Sequence, residues 1–154
     1  MGKAYTAVSD EVSAAYWNPA GLNQISDKYE VGLMHTQYFS GIANYDYIGF
    51  ATKIDSVSSL AITAIRLGVD DIPDTRFLYD VNGRINYDNI QFFSAADYAF
   101  LFSYARKMNI LGGIDVGGSA KVIYRHAGNF ATAWGYGIDL GLNKSLNSFN
   151  IGLM

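Results

Sequence analysis

The side chains best suited to metal chemistry in this 154-residue sequence are five aspartates between residues 70 and 88. These are Asp70, Asp71, Asp74, Asp80 and Asp88. Carboxylate oxygens suit calcium, and Gly83 could occupy the glycine position of an EF-hand loop. That alignment requires acidic residues where the sequence has Leu78 and Asn89, so the motif fails. We therefore interpret the stretch as a solvated acidic loop.

The two histidines, His35 and His126, are far apart and have no Cys or Glu at metal-ligand spacing. We interpret both as strand-end residues. The sequence also lacks a Gly-x-Ser-x-Gly motif, a phosphate-binding loop and a convincing pair of carboxylates. It therefore predicts no metal site, no cofactor and no catalytic residues, which argues against an enzyme.

The composition is rich in Tyr (12), Phe (9) and Gly (16), and only 16% of the residues are charged. The net charge of −3 argues against nucleic acid as a partner, because phosphate binding needs a basic surface. No apolar run reaches the roughly 18 residues of a membrane-spanning helix. This combination is typical of a bacterial β-barrel.

A strict two-residue alternation runs from Thr132 to Lys144 and predicts a long β-strand. One face is large and apolar, and the other is small or polar. The large face carries Thr132, Trp134, Tyr136, Ile138, Leu140, Leu142 and Lys144, and the small face carries Ala133, Gly135, Gly137, Asp139, Gly141 and Asn143. Similar patterns predict strands at 30–39, 43–54, 58–69, 98–105 and 114–125, and another beginning near Phe149. The sequence thus predicts about seven strands, most of them long enough to cross a bilayer when tilted.

The connections between these strands alternate in length. Short turns at 55–57, 109–112 and 145–147 alternate with connections at 40–42, 69–94 and 126–131. Outer-membrane barrels have short periplasmic turns and longer external loops. If the N-terminal segment is periplasmic, the strand parity puts the long 69–94 connection outside. Within it, Asn82-Gly83 predicts a small hairpin of its own.

The first 28 residues differ from the rest. Ser9 or Asp10 can cap a short helix of about two turns. Pro19 then ends the helix and Gly21 provides a bend. We therefore divide the chain into an N-terminal segment, residues 1–28, and a β-sheet region, residues 29–154.

Seven strands do not close a bacterial barrel, in which the strand number is even. An open edge in lipid would leave backbone groups unsatisfied at several kcal/mol each. We expect the C-terminal half of the barrel to lie outside this sequence. A multi-chain barrel is the alternative. Residues 1–10 also lack a hydrophobic signal core, so the signal peptide of an exported protein would be missing as well.

The stretch from Ala4 to Leu22, AYTAVSDEVSAAYWNPAGL, resembles the start of mature proteins of the PorV/PorQ family, within the FadL-like class of outer-membrane barrels. The stretch FSAADYAFLFSYAR, residues 93–106, is similar to this family where a barrel strand begins. The resemblance implies an all-β, antiparallel transmembrane β-barrel of fourteen strands in the outer membrane, with about half of the strands present here. It also implies an N-terminal helical hatch inside the lumen, with Asn18, Pro19 and Ala20 as the hatch motif.

The resemblance implies two roles. FadL-like transporters carry hydrophobic small molecules inward. Members of the PorV branch serve type IX secretion, where they bind the translocon and escort cargo proteins. The expected partners are therefore outer-membrane lipid together with a hydrophobic small molecule or secretion-system proteins, and the sequence does not choose between the two roles.

Several residues have both a functional and a structural interpretation. The hatch motif could be a gate that moves with ligand, or a helix stop that packs the hatch against the wall, which we favour. Four charged residues fall on the face assigned to the lumen, where they could line a polar path or pair with one another and with the hatch: Asp115, Lys121, Arg125 and Asp139. Four aromatic residues are typical of an interfacial girdle: Tyr98, Tyr104, Trp134 and Tyr136.

The competing interpretation is a soluble β-sandwich or lipocalin-like binding module. In such a protein Trp134, Ile138 and Leu140 would be buried inside, and the glycine-rich face would meet water. We disfavour this alternative because soluble surfaces usually carry about 25–35% charged residues.

Overall fold

The computed structural model describes residues 2–110 and 112–154 and contains a seven-stranded antiparallel sheet curled into a half-barrel. Each strand pairs with the next one along the chain. The strands are β1 (Tyr29–Tyr38), β2 (Ala43–Lys53), β3 (Ser58–Asp74), β4 (Gln91–Met108), β5 (Ile114–Ala127), β6 (Ala131–Leu146) and β7 (Phe149–Leu153). The predicted all-β antiparallel fold is confirmed. Its placement in a membrane is a proposal taken up below.

The N-terminal segment contains three short helical pieces. They are a 3₁₀ helix at Gly2–Ala7, the α-helix α1 at Ala14–Trp17 and a 3₁₀ helix at Pro19–Gln24. The prediction of a two-turn helix capped by Ser9 or Asp10 was wrong, because α1 has only four residues and follows Ser13. Asn18 ends α1 in an extended conformation, and Pro19 then starts the next helix, where its missing N–H costs nothing.

The connection between β3 and β4 is shorter than predicted, since β3 continues to Asp74 and β4 starts at Gln91. The alternation is interrupted by a bulge between Val69 and Ile72, where Asp71 has a φ of 57°. The small hairpin at Asn82-Gly83 is present: Tyr79 bridges Ile85, and Gly83 has a φ of +73°. The predicted turn at 109–112 includes Leu111, which lies outside the described residues.

The register of the strands defines two faces, because directly paired residues of neighbouring strands lie on the same side of the sheet. The N-terminal segment lies on the concave side, where it reaches glycines of five strands. These are Gly32 of β1, Gly49 of β2, Gly117 of β5, Gly141 of β6 and Gly152 of β7. Only a curved sheet lets so short a segment contact both of its outer strands.

The buried core lies between the N-terminal segment and the sheet. It consists of small and branched side chains: Val12, Ala14, Ala15, Leu22 and Ile25 from the segment, and Ala51, Ala61 and Ala105 from the strands. None of the helices in the described residues is long and apolar enough to cross a bilayer.

Candidate functional site on the concave face

Asn18 is the central polar contact between the N-terminal segment and the sheet. Its side chain is fully buried. The amide Nδ2 donates to the carbonyl oxygens of Thr6 at 2.8 Å and Leu142 at 3.1 Å, and Oδ1 accepts from the backbone N–H of Ala20 at 3.1 Å. One side chain therefore ties together the first helix, the third helix and strand β6. Asn suits this position because it both donates and accepts.

Glycines on the sheet make this close approach possible. A Cβ at Gly141 would overlap Asn18 Oδ1 and lie 3.1 Å from Pro19 Cδ. A Cβ at Gly117 would overlap the backbone of Pro19 and Ala20. The Asn18-Pro19-Ala20 motif thus rests directly on the backbone of β5 and β6, which is an arrangement that only glycine permits on the strand side.

The same pattern continues along the segment. A Cβ at Gly152 would lie 2.5 Å from the carbonyl oxygen of Thr6, and one at Gly32 would lie 2.6 Å from Val12 Cγ1.

Tyr5 donates from its hydroxyl to Glu11 Oε1 at 2.7 Å. Burial raises the pKa of the Tyr5 hydroxyl, and the bond to the Glu11 carboxylate raises it further.

Three of the four predicted lumen residues form polar contacts near the segment. Lys121 and Asp139 are paired at 2.7 Å, with 29% and 16% of their side chains exposed. Asp115 accepts from Asn23 Nδ2 at 3.2 Å. In the structure these residues lie on the concave face, where they pair with each other and with the N-terminal segment.

Arg125, the fourth predicted residue, lies nearer the connection between β5 and β6 and is paired through two nitrogens with Asp97. Asp97 and Arg125 are directly opposite in the register of β4 and β5. Asp97 was not among the residues predicted to line the lumen. The signal was available, because Asp97 has the same strand parity as Leu101 and Ser103 on the small, inward face of β4.

Beyond the segment, the concave face also carries apolar side chains on β1, β3 and β5. Met34 is 50% exposed, Leu67 44% and Ile123 38%. They share this face with the ion pairs Lys121–Asp139 and Asp97–Arg125. The concave surface is therefore mixed, with apolar side chains on several strands and charged pairs on the β4–β6 side.

The convex face carries a continuous apolar belt. We define it by three rows of six residues that the register places side by side. The rows are Tyr29-Thr52-Leu60-Tyr104-Gly118-Leu140, Val31-Phe50-Ile62-Phe102-Ala120-Ile138 and Leu33-Ile48-Ala64-Phe100-Val122-Tyr136. None of these residues is charged. Ile138 and Tyr136 are each 79% exposed, and Leu33 is 73% exposed.

The acidic stretch does not assemble into a metal site. No group of three or more candidate ligands comes together in the part of the chain that the structure describes. Asp74 pairs with Arg76 at 2.7 Å, and the Arg76 guanidinium lies 4.2 Å from the ring centre of Phe130. These contacts tie the long loop to the connection between β5 and β6.

The histidines lie near the same end of the sheet. His35 Nδ1 is 2.6 Å from Asp46 Oδ1 on the convex face. His126 is the second-to-last residue of β5.

Comparison with known proteins found no matching family model, no matching curated protein and no matching solved structure. The assignment of function therefore depends on the residues and contacts described above.

Proposed function

We propose that this chain is part of an outer-membrane β-barrel of the PorV/PorQ type, acting in transport or as a type IX secretion partner, without catalysis. The observation that carries the proposal is the apolar belt. A side chain such as Ile138 or Leu33 gains roughly 1.5–3 kcal/mol on leaving water completely. Contiguous apolar surface of this extent marks contact with lipid or another apolar surface.

The distribution of residue size supports lipid on the convex side. In a soluble sandwich Trp134, Ile138 and Leu140 would be buried, yet they are 63%, 79% and 73% exposed. The opposite face carries the N-terminal segment and the five strand glycines that this segment approaches closely. An apolar exterior around an interior that carries charged pairs is the pattern of a membrane barrel rather than of a soluble one.

The open edges of the sheet support closure by further strands. Among the described residues, β1 and β7 each pair with only one neighbour. Six antiparallel pairings separate them, so β1 and β7 run in the same direction. Antiparallel closure therefore needs an odd number of additional strands, which makes the total even. If a second copy closed the barrel by rotation about the barrel axis, β7 of one copy would lie beside β1 of the other, and these two strands would be parallel.

Each of the two roles has its own support. Met34, Leu67 and Ile123 on the concave face favour passage of a hydrophobic molecule. The loop between β3 and β4 favours a protein partner, because it exposes large apolar side chains outside the belt. These are Phe77, Tyr79, Val81, Ile85 and Tyr87.

The membrane proposal is tested by a pair of lysine substitutions on β6. Ile138→Lys places a charge in the apolar belt and should cost about 2–4 kcal/mol in lipid. Gly135→Lys, on the concave face, is the matched control and should be tolerated. The full gene, with its signal peptide, is expressed, and the outer-membrane fraction is examined for heat-modifiable migration on gels. Equal assembly of both variants, or recovery of the unsubstituted protein in the soluble fraction, would refute the proposal.

The role is tested by what the assembled protein retains. The protein is purified in mild detergent. Extraction of bound hydrophobic molecules tests the uptake role, and identification of co-purifying proteins tests the secretion role. Bound hydrophobic molecules that are lost with Met34→Asp support uptake. Secretion-system proteins that are lost when residues 77–87 are replaced by a short glycine-serine turn support the secretion role.

A further inference from the structure

The connection between β3 and β4 contains an open groove of about 500 Å³. This volume is typical of ligand-binding clefts, which measure about 300–1,000 Å³. We call it the loop groove. It is lined by the first arm of the small hairpin and by the return to β4, through Phe77, Tyr79, Asp80, Val81, Asp88, Asn89 and Gln91.

The apolar side chains of the loop groove are exposed to solvent. Phe77 is 60% exposed, Tyr79 is 65% exposed and Val81 is fully exposed. They lie beyond the apolar belt, so the bilayer of the proposed function does not cover them. Large apolar side chains grouped in this way mark a surface that another molecule covers.

The charged residues that line the loop groove are Asp80 and Asp88. Asp80 Oδ1 accepts from the backbone N–H groups of Asn82 and Arg84 at 2.8 Å, and Asp80 Oδ2 has no partner among the described residues. The Asp88 carboxylate has no hydrogen bond or ion pair in the part of the chain that the structure describes. Arg84 does not line the groove. The groove therefore offers two uncompensated negative groups to a cation.

The backbone of the same hairpin arm has an open edge. The carbonyl oxygen of Leu78 accepts from Asn86, and the N–H of Asp80 donates to Arg84, both at 2.8 Å. Tyr79 lies between these two bonds, so its own N–H and C=O point away from the other arm. Neither group has a hydrogen-bond partner within the described residues. Such an unpaired edge is a template for an added strand.

We propose that the loop groove binds an extended segment of a partner protein in which cationic side chains flank an apolar one. The segment pairs with the open edge at Tyr79. Its apolar side chain packs on Phe77 and Val81, and its cations approach Asp80 and Asp88. The proposal deepens the secretion role proposed above and rests on it, because a second protein must reach the loop.

Each feature of the groove excludes a different kind of ligand. A hydrophobic small molecule would cover the apolar side chains but leave the two carboxylates and the backbone edge without partners. An anionic segment would meet charges of its own sign. The loop is also held in place before binding, because Arg76 pairs with Asp74 and lies over the Phe130 ring, so less ordering is needed when the partner arrives.

The test is binding of fluorescein-labelled peptides to the full chain in a nonionic detergent, followed by fluorescence anisotropy. The probe is Lys-Val-Lys-Phe-Lys-Val-Lys, and the matched probe has glutamate in place of every lysine. The unsubstituted protein should bind the lysine peptide at least about tenfold more tightly than the glutamate peptide. Asp88→Asn should weaken binding of the lysine peptide about two- to fivefold at low ionic strength, as expected for an exposed ion pair.

Tyr79→Pro and Ile85→Pro are a matched pair of variants for the backbone edge. The two residues face each other across the hairpin, and neither N–H is used within it, so proline removes no bond of the hairpin. Tyr79→Pro should weaken binding of the lysine peptide about tenfold, because a donor and a ring are both lost. Ile85→Pro should bind like the unsubstituted protein, and Tyr79→Ala, which keeps the N–H, should lie between the two.

Equal binding of the lysine and glutamate peptides, or equal binding by Tyr79→Pro and Ile85→Pro, would overturn the inference. Failure of the proposed function is recognised separately. An unsubstituted protein that stays in the soluble fraction refutes the membrane proposal whichever peptide it binds. An assembled barrel that does not bind the lysine peptide overturns the role of the loop groove alone.

Discussion

Replacing Gly141 by alanine should release the N-terminal segment from the sheet. The new Cβ would overlap Asn18 Oδ1 and crowd Pro19 Cδ, whose distance from it would be 3.1 Å. Overpacking of a well-packed interior costs about 1–3 kcal/mol. Displacing Asn18 also weakens its bonds to Thr6 and Leu142, each contributing about 0.5–1.5 kcal/mol. We expect a total loss of about 2–4 kcal/mol.

Gly135→Ala is the matched control on the same strand and the same face. Its Cβ would meet only Ile123 Cβ, at an ordinary 3.6 Å. Because alanine restricts the unfolded chain, this variant should be neutral or more stable by about 0.4–1 kcal/mol.

The assay is urea unfolding of the full chain in detergent micelles, with the fluorescence of Trp17 followed in a variant whose other tryptophans, Trp134 included, are replaced by phenylalanine. Trp17 closes α1 and should report the release of the segment. In Gly141→Ala, its accessibility to acrylamide should rise before the sheet unfolds. Equal unfolding midpoints and equal quenching for Gly141→Ala and Gly135→Ala would refute the docking of Asn18 on β6.

Three further predictions concern the same segment, the long loop and a turn. Asn18→Asp should cost about 3–5 kcal/mol in urea unfolding, because it buries a carboxylate against two carbonyl oxygens that now accept from Nδ2. Arg76→Ala removes the cation over Phe130, worth about 0.5–1 kcal/mol, and should speed proteolysis within residues 75–90 about two- to fivefold. The backbone N–H of Val57 donates to the Asp55 carboxylate and lowers its pKa. The ionised carboxylate therefore stabilises the turn above the unfolded-state pKa, and this stabilisation is lost as the pH falls through the folded-state pKa. An NMR titration of Asp55 should give a midpoint below 3.8.

Each of these predictions has its own control and contrary outcome. Asn82→Asp makes the same chemical change in an exposed turn, and a cost equal to that of Asn18→Asp would contradict the role of burial. Arg84→Ala removes another loop arginine, and equal acceleration of proteolysis would show that the ring contact does not matter. A midpoint for Asp55 at or above 3.8 would contradict the bond from Val57.

The strands that alternate most regularly were the ones that the sequence predicted best. In β6 the concave face is small where it meets the N-terminal segment, while the convex face is large. That contrast makes the period of two visible in the sequence. Residues 70–74 of β3 and 91–97 of β4 were not predicted as strand. The bulge at Asp71 shifts the alternation by one position, and the sequence beyond it resembles a loop.

The contacts of the N-terminal segment could be predicted only in part. Asn18-Pro19-Ala20 was identified from its sequence, but its partners, Gly117 and Gly141, look like many other strand glycines. These two glycines matter because the N-terminal segment crosses the sheet directly over them. The sequence around each glycine does not predict where that crossing occurs. The helix length was misjudged for a related reason: Ser9 is buried beneath Gly21 instead of capping a helix.

The central claim, that the convex face meets lipid, is tested most directly by quenching of Trp17 and Trp134 with brominated acyl chains. Two variants of the full chain, one with Trp17 and one with Trp134 as the single remaining tryptophan, are reconstituted in bilayers. Trp134 on the convex face should be strongly quenched, and Trp17 on the N-terminal segment should be spared. Absence of quenching at Trp134, or quenching of Trp17 alone, would contradict the account.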